Sequence, residues 1–235
     1  MIFCTSYCAR ESDFFRIKRW FKRVKSGPID CDIVAIFDDS SPYLPSDLCD
    51  VFREVNFTTF DNFKSDKDFL FTFKNHFGRI DLHRFPGWTR SFYYAIRYAA
   101  NNNIQKIIHL ESDAAIISER MATYINEFSE DLWCGFWESS QYQMPETAVQ
   151  VINGSAVSRA ETFLREKFID IITSEVDVEN ILPFDRIEKT FIGGRFPEME
   201  KFVSGNLDFV SQLQFERENS YEWWASGYSD LKNRQ

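Results

Sequence analysis

Short apolar runs alternate along the chain with longer stretches in which apolar residues recur at helical spacing. Residues 2–6 and 31–37 are short and largely apolar, as buried strands are. Between them, residues 11–25 combine apolar positions at helical spacing with basic residues, which predicts an amphipathic helix. Strand, helix and strand in this order begin a parallel sheet, so the pattern predicts an α/β fold.

The alternation continues towards the C-terminus and predicts further elements. Strands are predicted at 54–60, 80–85, 107–110, 132–137 and 148–153, and helices at 44–52, 90–100, 119–128 and 159–173. Thr89 is the predicted N-cap of the helix at 90–100. The part from Ser174 onwards is predicted to be irregular. Since no linker separates two regions, residues 1–235 are predicted to form a single domain.

Two carboxylates, Glu111 and Asp113, directly follow the apolar run at 107–110. In open α/β sheets, ligands bind beyond the carboxyl ends of the strands. Two acids at such a point can hold a hard divalent cation, which can bridge the phosphates of a nucleoside diphosphate. The alternative is structural, because an Asp after a strand also commonly caps a helix, and a helix is predicted to begin near Ser118.

Composition narrows the class of protein. Hydrophobic residues make up 44% of the 235 residues, which indicates a globular chain rather than a disordered one. The 25 phenylalanines predict a ring-rich core, and a ring-lined cleft is the weaker alternative. The net charge of −9 argues against non-specific binding of nucleic acid. The basic segment at 16–25 would allow peripheral contact with a membrane or an anionic acceptor, although a solvated helix face explains it better.

Cysteine usage and the N-terminal sequence predict a cytoplasmic protein. The five cysteines are an odd number, and their spacing fits no zinc-binding pattern, so free thiols in a reducing compartment are expected. No signal peptide is visible, and no apolar run approaches the ~20 residues that a membrane-spanning helix needs.

The segment 87–113 resembles the nucleotide-sugar glycosyltransferases of the GT-A fold. In that superfamily, a turn bearing Gly and Arg (here Gly87 and Arg90) and a helix commonly precede a strand that ends in a DXD motif. The triplet Glu111-Ser112-Asp113 is similar to that motif, with Glu in the first position. Residues 151–160 are similar to the strand and Gly-Ser turn that such enzymes place under the transferred sugar.

The resemblance implies a GT-A-like, mostly parallel sheet flanked by helices, with a Rossmann-like nucleotide-binding half. Residues 1–117 would form the donor nucleotide-binding half and residues 118–235 the acceptor-binding half. It further implies that a sugar, expected to be a hexose, is transferred from a UDP- or GDP-linked donor to a saccharide or glycan acceptor in polysaccharide biosynthesis. Mn²⁺ or Mg²⁺ would be the cofactor.

The same resemblance implies roles for individual residues of the donor site. The residues concerned are Thr5, Ser6 and Tyr7 for the base and ribose, Asp38 or Asp39 for the base or ribose, Arg90 for the diphosphate, Glu111 and Asp113 for the metal, and Ser112 between them. Glu111 would reach the ribose or, through water, the metal, and Asp113 would bind the metal directly. Each of the other residues has an ordinary alternative role, since Asp38 and Asp39, for example, are also good turn formers.

An inverting transfer would also need a general base for the acceptor hydroxyl. Asp185 and Glu188, at a predicted helix start, are candidates, and Glu138 is a third. The alternative for Asp185 and Glu188 is a capping box, and a retaining transfer would need no such base. Related enzymes often supply a late His as a metal ligand, but no His follows His109 here, so the third ligand stays open.

Two other classes of protein are alternatives to a glycosyltransferase. A sugar-phosphate nucleotidyltransferase would carry a Gly-rich loop after the first strand, and residues 6–10 contain no glycine. A catalytically inactive transferase-like domain that binds carbohydrate or a partner protein remains the alternative, because the first acid is Glu111 and the late His is missing.

Overall fold

One sheet with helices on both faces forms the protein, as seen in a computed structural model that describes residues 1–44, 47–53, 60–81, 83–139, 142–195 and 207–212. The strands are β1 (Ile2–Ser6), β2 (Val34–Asp38), β3 (Asp50–Arg53), β4 (Phe69–Thr72), β5 (Lys106–Leu110), β6 (Ala115–Ile116), β7 (Trp133–Glu138), β8 (Met144–Asn153), β9 (Arg186–Arg195) and β10 (Phe209–Ser211). The helices are α1 (Glu11–Ser26), α2 (Pro86–Asn101), α3 (Glu119–Glu127) and α4 (Ala156–Thr173), with a 3-10 turn at Val178–Asn180. No helix in these ranges has the length and apolar character needed to cross a membrane.

The described strands form a ten-stranded sheet in the order β3-β4-β2-β1-β5-β8-β7-β9-β10-β6. All neighbouring pairs among the first five strands of this order run parallel. Strand β8 runs antiparallel to both of its neighbours, β5 and β7. The prediction of an α/β fold with a mostly parallel sheet flanked by helices is therefore confirmed.

Alternate residues of the central strands serve two different cores, because successive side chains point to opposite faces of a sheet. On one face, Ile2 and Cys4 pack with residues of α1 and α3. On the other face, Phe3 packs with residues of α2 and α4. Many phenylalanines are buried in this second core, namely Phe3, Phe37, Phe60, Phe69, Phe71, Phe73 and Phe92. The high phenylalanine content thus builds the core, as predicted.

The segment between β2 and α2 departs from the prediction. The described residues of 44–52 form no helix, and Asp50–Arg53 instead pairs with β4 at the edge of the sheet. The predicted strand at 54–60 lies outside the described residues except at its last position. The described residues of 80–85 form no strand.

Helix α2 begins one turn earlier than predicted. Pro86 occupies its first turn, where the fixed φ of proline suits a helix and its missing N–H is not needed. The Thr89 hydroxyl donates to the Phe85 carbonyl at 3.1 Å, within that turn. The prediction of Thr89 as the N-cap is therefore wrong.

The C-terminal part contains strands that the sequence did not predict. The region from Ser174 onwards was predicted to be irregular, but it contains the 3-10 turn, β9 and β10. The predicted helix start at 182–189 is also wrong, because the residues from Arg186 onwards form β9, which pairs in parallel with β7. The first residues of β9 are half-buried or exposed, so they lack the apolar run that identifies a central strand.

Candidate functional site

Polar side chains collect at the sheet edge where the parallel strands β1, β2, β4 and β5 end. Ser6, Asp38 and Thr72 lie side by side at this edge in register. Glu111 follows the last residue of β5, and Asp113 lies in the turn after it. The sheet therefore brings the ends of the first strands and the acid triplet to one edge, where open α/β sheets bind ligands.

The Glu111 carboxylate is held through one of its two oxygens. Oε1 accepts hydrogen bonds from Thr5 Oγ1 at 2.7 Å and Trp88 Nε1 at 2.6 Å, and it lies 2.8 Å from His109 Nε2. Burial acts to raise the pKa of Glu111, but the charge and hydrogen bond of His109, with the other two bonds, outweigh it and lower that pKa. Glu111 is therefore ionised at neutral pH, with Oε1 fixed.

His109 connects Glu111 to the neighbouring strand β8. Its Nδ1 lies 2.7 Å from the Thr147 carbonyl oxygen, on the side of the ring away from Glu111. The imidazole packs against the rings of Phe3 and Phe92, with centroid distances of 4.8 and 5.0 Å. A buried polar ring costs free energy unless its nitrogens are hydrogen-bonded, and both nitrogens of His109 are. This contact between strands was not predicted.

Asp113 carries a negative charge that the protein compensates poorly. Burial, followed by the charge of Glu111, raises the pKa of Asp113 to about 6, although Arg16 acts in the opposite direction. Glu146 adds a further like charge. Ser112, between the two acids, is buried. A cation beside Glu111 and Asp113 would relieve this repulsion.

The donor set at this edge suits a hard cation that also binds a substrate. Among the residues within the described ranges, no group of three or more His, Cys, Asp or Glu side chains could hold a metal ion. Glu111 and Asp113 offer two carboxylates. Mg²⁺ is commonly bound by one or two carboxylates, with substrate phosphates and water at the remaining positions. The two acids therefore fit a cation that arrives with a diphosphate.

Asp38 ties the strand ends together and is not free for a ligand. It accepts hydrogen bonds from Ser6 Oγ at 2.9 Å, from Thr72 Oγ1 at 2.8 Å and from the Ser41 backbone N–H at 2.7 Å, and the Ser41 hydroxyl donates as well. Burial raises its pKa in spite of these bonds. The hydroxyl of Ser6 is likewise bonded within the protein, as is that of Thr5, which donates to Glu111.

Arg90 and Asp39, both predicted to contact the donor, form a buried ion pair with each other. The Arg90 guanidinium also donates to the Asn75 carbonyl oxygen at 2.5 Å and lies 4.0 and 3.9 Å from the ring centroids of Phe73 and Phe77. These contacts join the segment after β4 to α2. The two charges thus neutralise each other inside the protein, and we do not assign either residue to the donor site.

We expect Arg90→Ala to lower the free energy of unfolding by about 3–5 kcal/mol, because it leaves the Asp39 charge buried without its partner. Denaturant unfolding measures this change. Lys22→Ala on the exposed face of α1 is the control, with an expected change within about 0.5 kcal/mol. A stable Arg90→Ala variant that binds nucleoside diphosphates weakly would instead return Arg90 to the phosphate site.

Tyr7 contributes an aromatic surface at the rim of the site. Its ring stacks on His76, with a centroid distance of 3.9 Å and an interplanar angle of 20°. The His76 side chain is 41% exposed, and its Nδ1 lies 2.9 Å from Asp39 Oδ2. A stacked pair that is open to solvent provides a face for another flat ring, such as a nucleobase.

Asp185 lies at the opposite end of the strands from Glu111, near the level at which β5 begins. Its Oδ2 accepts the Trp133 backbone N–H at 2.8 Å and pairs with Arg159 at 2.9 Å. Across β8, Trp133 is level with Ile107, near the start of β5. At about 3.3 Å per residue, about 13 Å of strand separates that level from Glu111. This position contradicts the prediction that Asp185 serves as a base for the site at Glu111.

The other two candidate bases also have local roles. Glu188 lies within β9 and accepts the backbone N–H groups of Lys189 at 2.9 Å and Thr190 at 3.0 Å. Glu138 ends β7 at the edge of the site, but it is buried, and its Oε2 accepts the Tyr142 N–H at 2.7 Å. Glu138 therefore stabilises the loop after β7, and Glu188 stabilises the backbone of its own strand.

A buried ion-pair network at the ends of β9 and β10 was not predicted. Arg195 binds Glu146 through Nε at 2.9 Å and Nη2 at 3.0 Å, and the same Nη2 lies 3.0 Å from Glu179. Ser211 Oγ donates to Glu146 at 2.6 Å. Thr147 Oγ1 donates to Glu179 at 3.4 Å, and the Thr147 carbonyl oxygen contacts the imidazole of His109. The network therefore extends to His109.

Within this network, Glu179 has the more available carboxylate. Both oxygens of Glu146 accept hydrogen bonds, whereas the bonds from Arg195 and Thr147 to Glu179 both reach Oε1. The Glu179 side chain is 11% exposed. Burial raises the pKa of Glu179, while Arg195 acts to lower it. Glu179 is therefore the more accessible carboxylate of this network, and it was not predicted from the sequence.

Of the site residues that were not predicted, His109 could have been recognised from the sequence. His109 is a polar residue inside the apolar run at 107–110, and a buried imidazole requires partners. Glu146, Glu179 and Arg195 had no comparable signal, because they lie far apart in the chain and meet only through the pairing of the later strands.

Comparison with known proteins defines the fold. No protein-family model matches the chain, and no curated protein matches it in sequence. Similar solved structures include a glycosyltransferase involved in the glycosylation of the major capsid of PBCV-1, with a TM-score of 0.51 and 11% identity over 96% of this chain and 98% of that chain. The galactosyltransferase LgtC, solved in complex with donor and acceptor sugar analogs, has a TM-score of 0.54 and 10% identity over 99% and 95% of the two chains. The bifunctional glycosyltransferase WbbM has a TM-score of 0.56 and 6% identity over 100% of this chain and 51% of that chain. The chain therefore has the fold of the GT-A glycosyltransferases.

Proposed function

We propose that the protein is a metal-dependent glycosyltransferase that moves a sugar, expected to be a hexose, from a UDP- or GDP-linked donor to a saccharide or glycan acceptor. The observation that carries the proposal is the pair Glu111 and Asp113 at the carboxyl edge of a GT-A-type sheet. Glu111 is ionised and fixed, and Asp113 bears an under-compensated charge. Mn²⁺ or Mg²⁺ held there would neutralise the departing nucleoside diphosphate.

On the donor side, Glu111 would bind the cation through Oε2 and Asp113 through its carboxylate. The nucleobase would stack at Tyr7 and His76. Arg16 replaces Arg90 as the cation proposed for the diphosphate. Its charge acts on Asp113, its Nη2 makes only a long contact of 3.4 Å with the Tyr7 carbonyl, and its buried Nε has no hydrogen-bond partner among the described residues.

On the acceptor side, Glu179 replaces Asp185 as the proposed carboxylate that receives the proton of the acceptor hydroxyl. It lies in the 3-10 turn against β8 and is oriented by Arg195 and Thr147. Tyr142, which is 46% exposed, has its ring 5.0 Å from the Arg195 guanidinium and would offer a face to a sugar ring. The complex of LgtC with donor and acceptor sugar analogs supports a site with both halves in this fold.

The proposal is tested by thermal unfolding with UDP or GDP, with and without Mn²⁺. At a ligand concentration of 100 times Kd, binding adds about 2.7 kcal/mol. For a chain of 235 residues, we expect the melting temperature to rise by about 5–10 °C. The rise should require Mn²⁺ or Mg²⁺ and should disappear with EDTA. No metal-dependent rise with either nucleotide would refute the proposed donor site.

The same measurement distinguishes the alternative of an inactive, transferase-like domain. Glu111 in the first position of the triplet and the lack of a His after His109 favour this alternative. Such a domain would be stabilised by saccharides alone and would not respond to nucleoside diphosphates. Location in the cytoplasm, a role in polysaccharide biosynthesis and peripheral membrane contact through the segment 16–25 stay predictions from the sequence.

A further inference from the structure

We infer that His109 is a positioning residue. It fixes Glu111, in the proposed donor site, relative to Thr147 and Glu179, in the proposed acceptor site. The inference rests on the proposed function for the roles of the two carboxylates. Nε2 of His109 lies 2.8 Å from Glu111 Oε1, and Nδ1 lies 2.7 Å from the Thr147 carbonyl oxygen. Thr147 in turn donates through its hydroxyl to Glu179. One imidazole thus lies between the two halves of the site.

The ring of His109 is held in one orientation by its surroundings. Its side chain is 0% exposed. Phe3 stacks on it, while Phe92 and Trp88 approach it edge-on with centroid distances of 5.0 and 5.8 Å. Gln150 Nε2, which also donates to the Thr147 carbonyl at 2.6 Å, lies 3.4 Å from Nδ1. Because the imidazole is rigid and enclosed, it fixes the spacing between the two groups that it contacts.

This arrangement determines which part of Glu111 faces the ligand. His109, Thr5 and Trp88 all contact Oε1, so Oε2 is the oxygen available to the cation. Groups that orient a metal ligand in this way typically change metal affinity by ~10–100-fold when they are replaced. The same ring positions the Thr147 backbone, and with it the residue that orients Glu179.

Two amide substitutions separate the contacts. His109→Asn keeps an amide donor near the position of Nδ1, towards Thr147, and removes the contact with Glu111. His109→Gln keeps a donor near the position of Nε2, towards Glu111, and removes the contact with Thr147. We expect His109→Asn to raise the Kd for UDP or GDP with Mn²⁺ by ~10–100-fold. We expect His109→Gln to change that Kd by less than about threefold but to lower sugar transfer by about tenfold or more.

The Trp88 indole N–H reports on Glu111 without any ligand, because it donates to the same Oε1. In ¹H–¹⁵N spectra, this resonance, assigned by its loss in Trp88→Phe, should shift in His109→Asn and stay in place in His109→Gln. If one substitution prevents folding, the other still tests the inference, because each has its own expected effect on the Kd and on the Trp88 resonance.

The possible results separate the inference from the proposed function. Equal effects of the two amides on Kd, on transfer and on the Trp88 resonance would mean that His109 only fills the core, and would overturn the inference. A wild-type protein that binds neither UDP nor GDP with Mn²⁺ would refute the proposed function. The Trp88 resonance would then still decide whether His109 positions Glu111.

Discussion

Asp113→Asn is expected to abolish the Mn²⁺-dependent binding of UDP and GDP. An amide has no charge to offer a divalent cation, and Glu111, held through Oε1, would provide the only remaining carboxylate of the pair. Isothermal titration with UDP and with GDP, in the presence and absence of Mn²⁺, measures the loss. Asp170→Asn, an exposed substitution on α4, is the matched control and should bind as the wild type does.

The pKa of Asp113 also predicts how stability and binding depend on pH. Burial and Glu111 raise it to about 6 in the folded protein, from an ordinary value of 3.8. As the pH rises through this interval, Asp113 loses its proton more readily in the unfolded chain, so its ionisation lowers stability. Without metal, Asp113→Asn should therefore melt at a higher temperature than the wild type at pH 7.5, and the difference should shrink below about pH 4.

Metal binding should follow the opposite trend. Mn²⁺-dependent nucleotide binding should weaken as the pH falls through about 6, because a protonated Asp113 cannot bind a cation. An Asp113→Asn variant that is less stable than the wild type at pH 7.5 and still binds nucleotide would show that Asp113 is a structural cap.

Glu179→Gln is expected to lower sugar transfer by ~10²–10⁴-fold, the range typical of removing a positioned acid–base group. The fold should survive, since Gln keeps an acceptor for Thr147 and Arg195 stays paired with Glu146. The affinity for UDP or GDP with Mn²⁺ should change by less than about twofold, because Glu179 would contact the acceptor and not the donor. Release of nucleoside diphosphate from a panel of UDP- and GDP-sugars, with and without saccharide acceptors, measures transfer.

The carboxylates that were predicted from the sequence as the general base provide controls with the same change from carboxylate to amide. Asp185→Asn changes a carboxylate at the opposite end of the strands, and Glu188→Gln changes one within β9. Both should transfer sugar at nearly the wild-type rate, whereas Glu138→Gln should act mainly through stability. A Glu179→Gln variant with unchanged transfer, alongside an inactive Glu138→Gln variant, would assign the proton acceptor to Glu138.

Local patterns in the sequence determined strands β1, β2 and β5, helix α1 and the acid pair of the candidate site. Buried strands such as β1 and β5 are short apolar runs, and α1 repeats its apolar residues every three or four positions. Because parallel strands end at one edge, the position of Glu111 and Asp113 directly after β5 already indicated where a ligand would bind.

Tertiary structure alone decided which polar side chains pair with each other and which are available to a ligand. Arg90 and Asp39 are far apart in the chain, and only folding joins them in a buried ion pair. Strand β9 lacks an apolar run because its first residues are partly exposed, so Asp185 was predicted in a helix start and at the wrong end of the strands. Glu179 meets Arg195 only when the later strands assemble. The physical reason is that charge compensation depends on distances in space, which local periodicity does not encode.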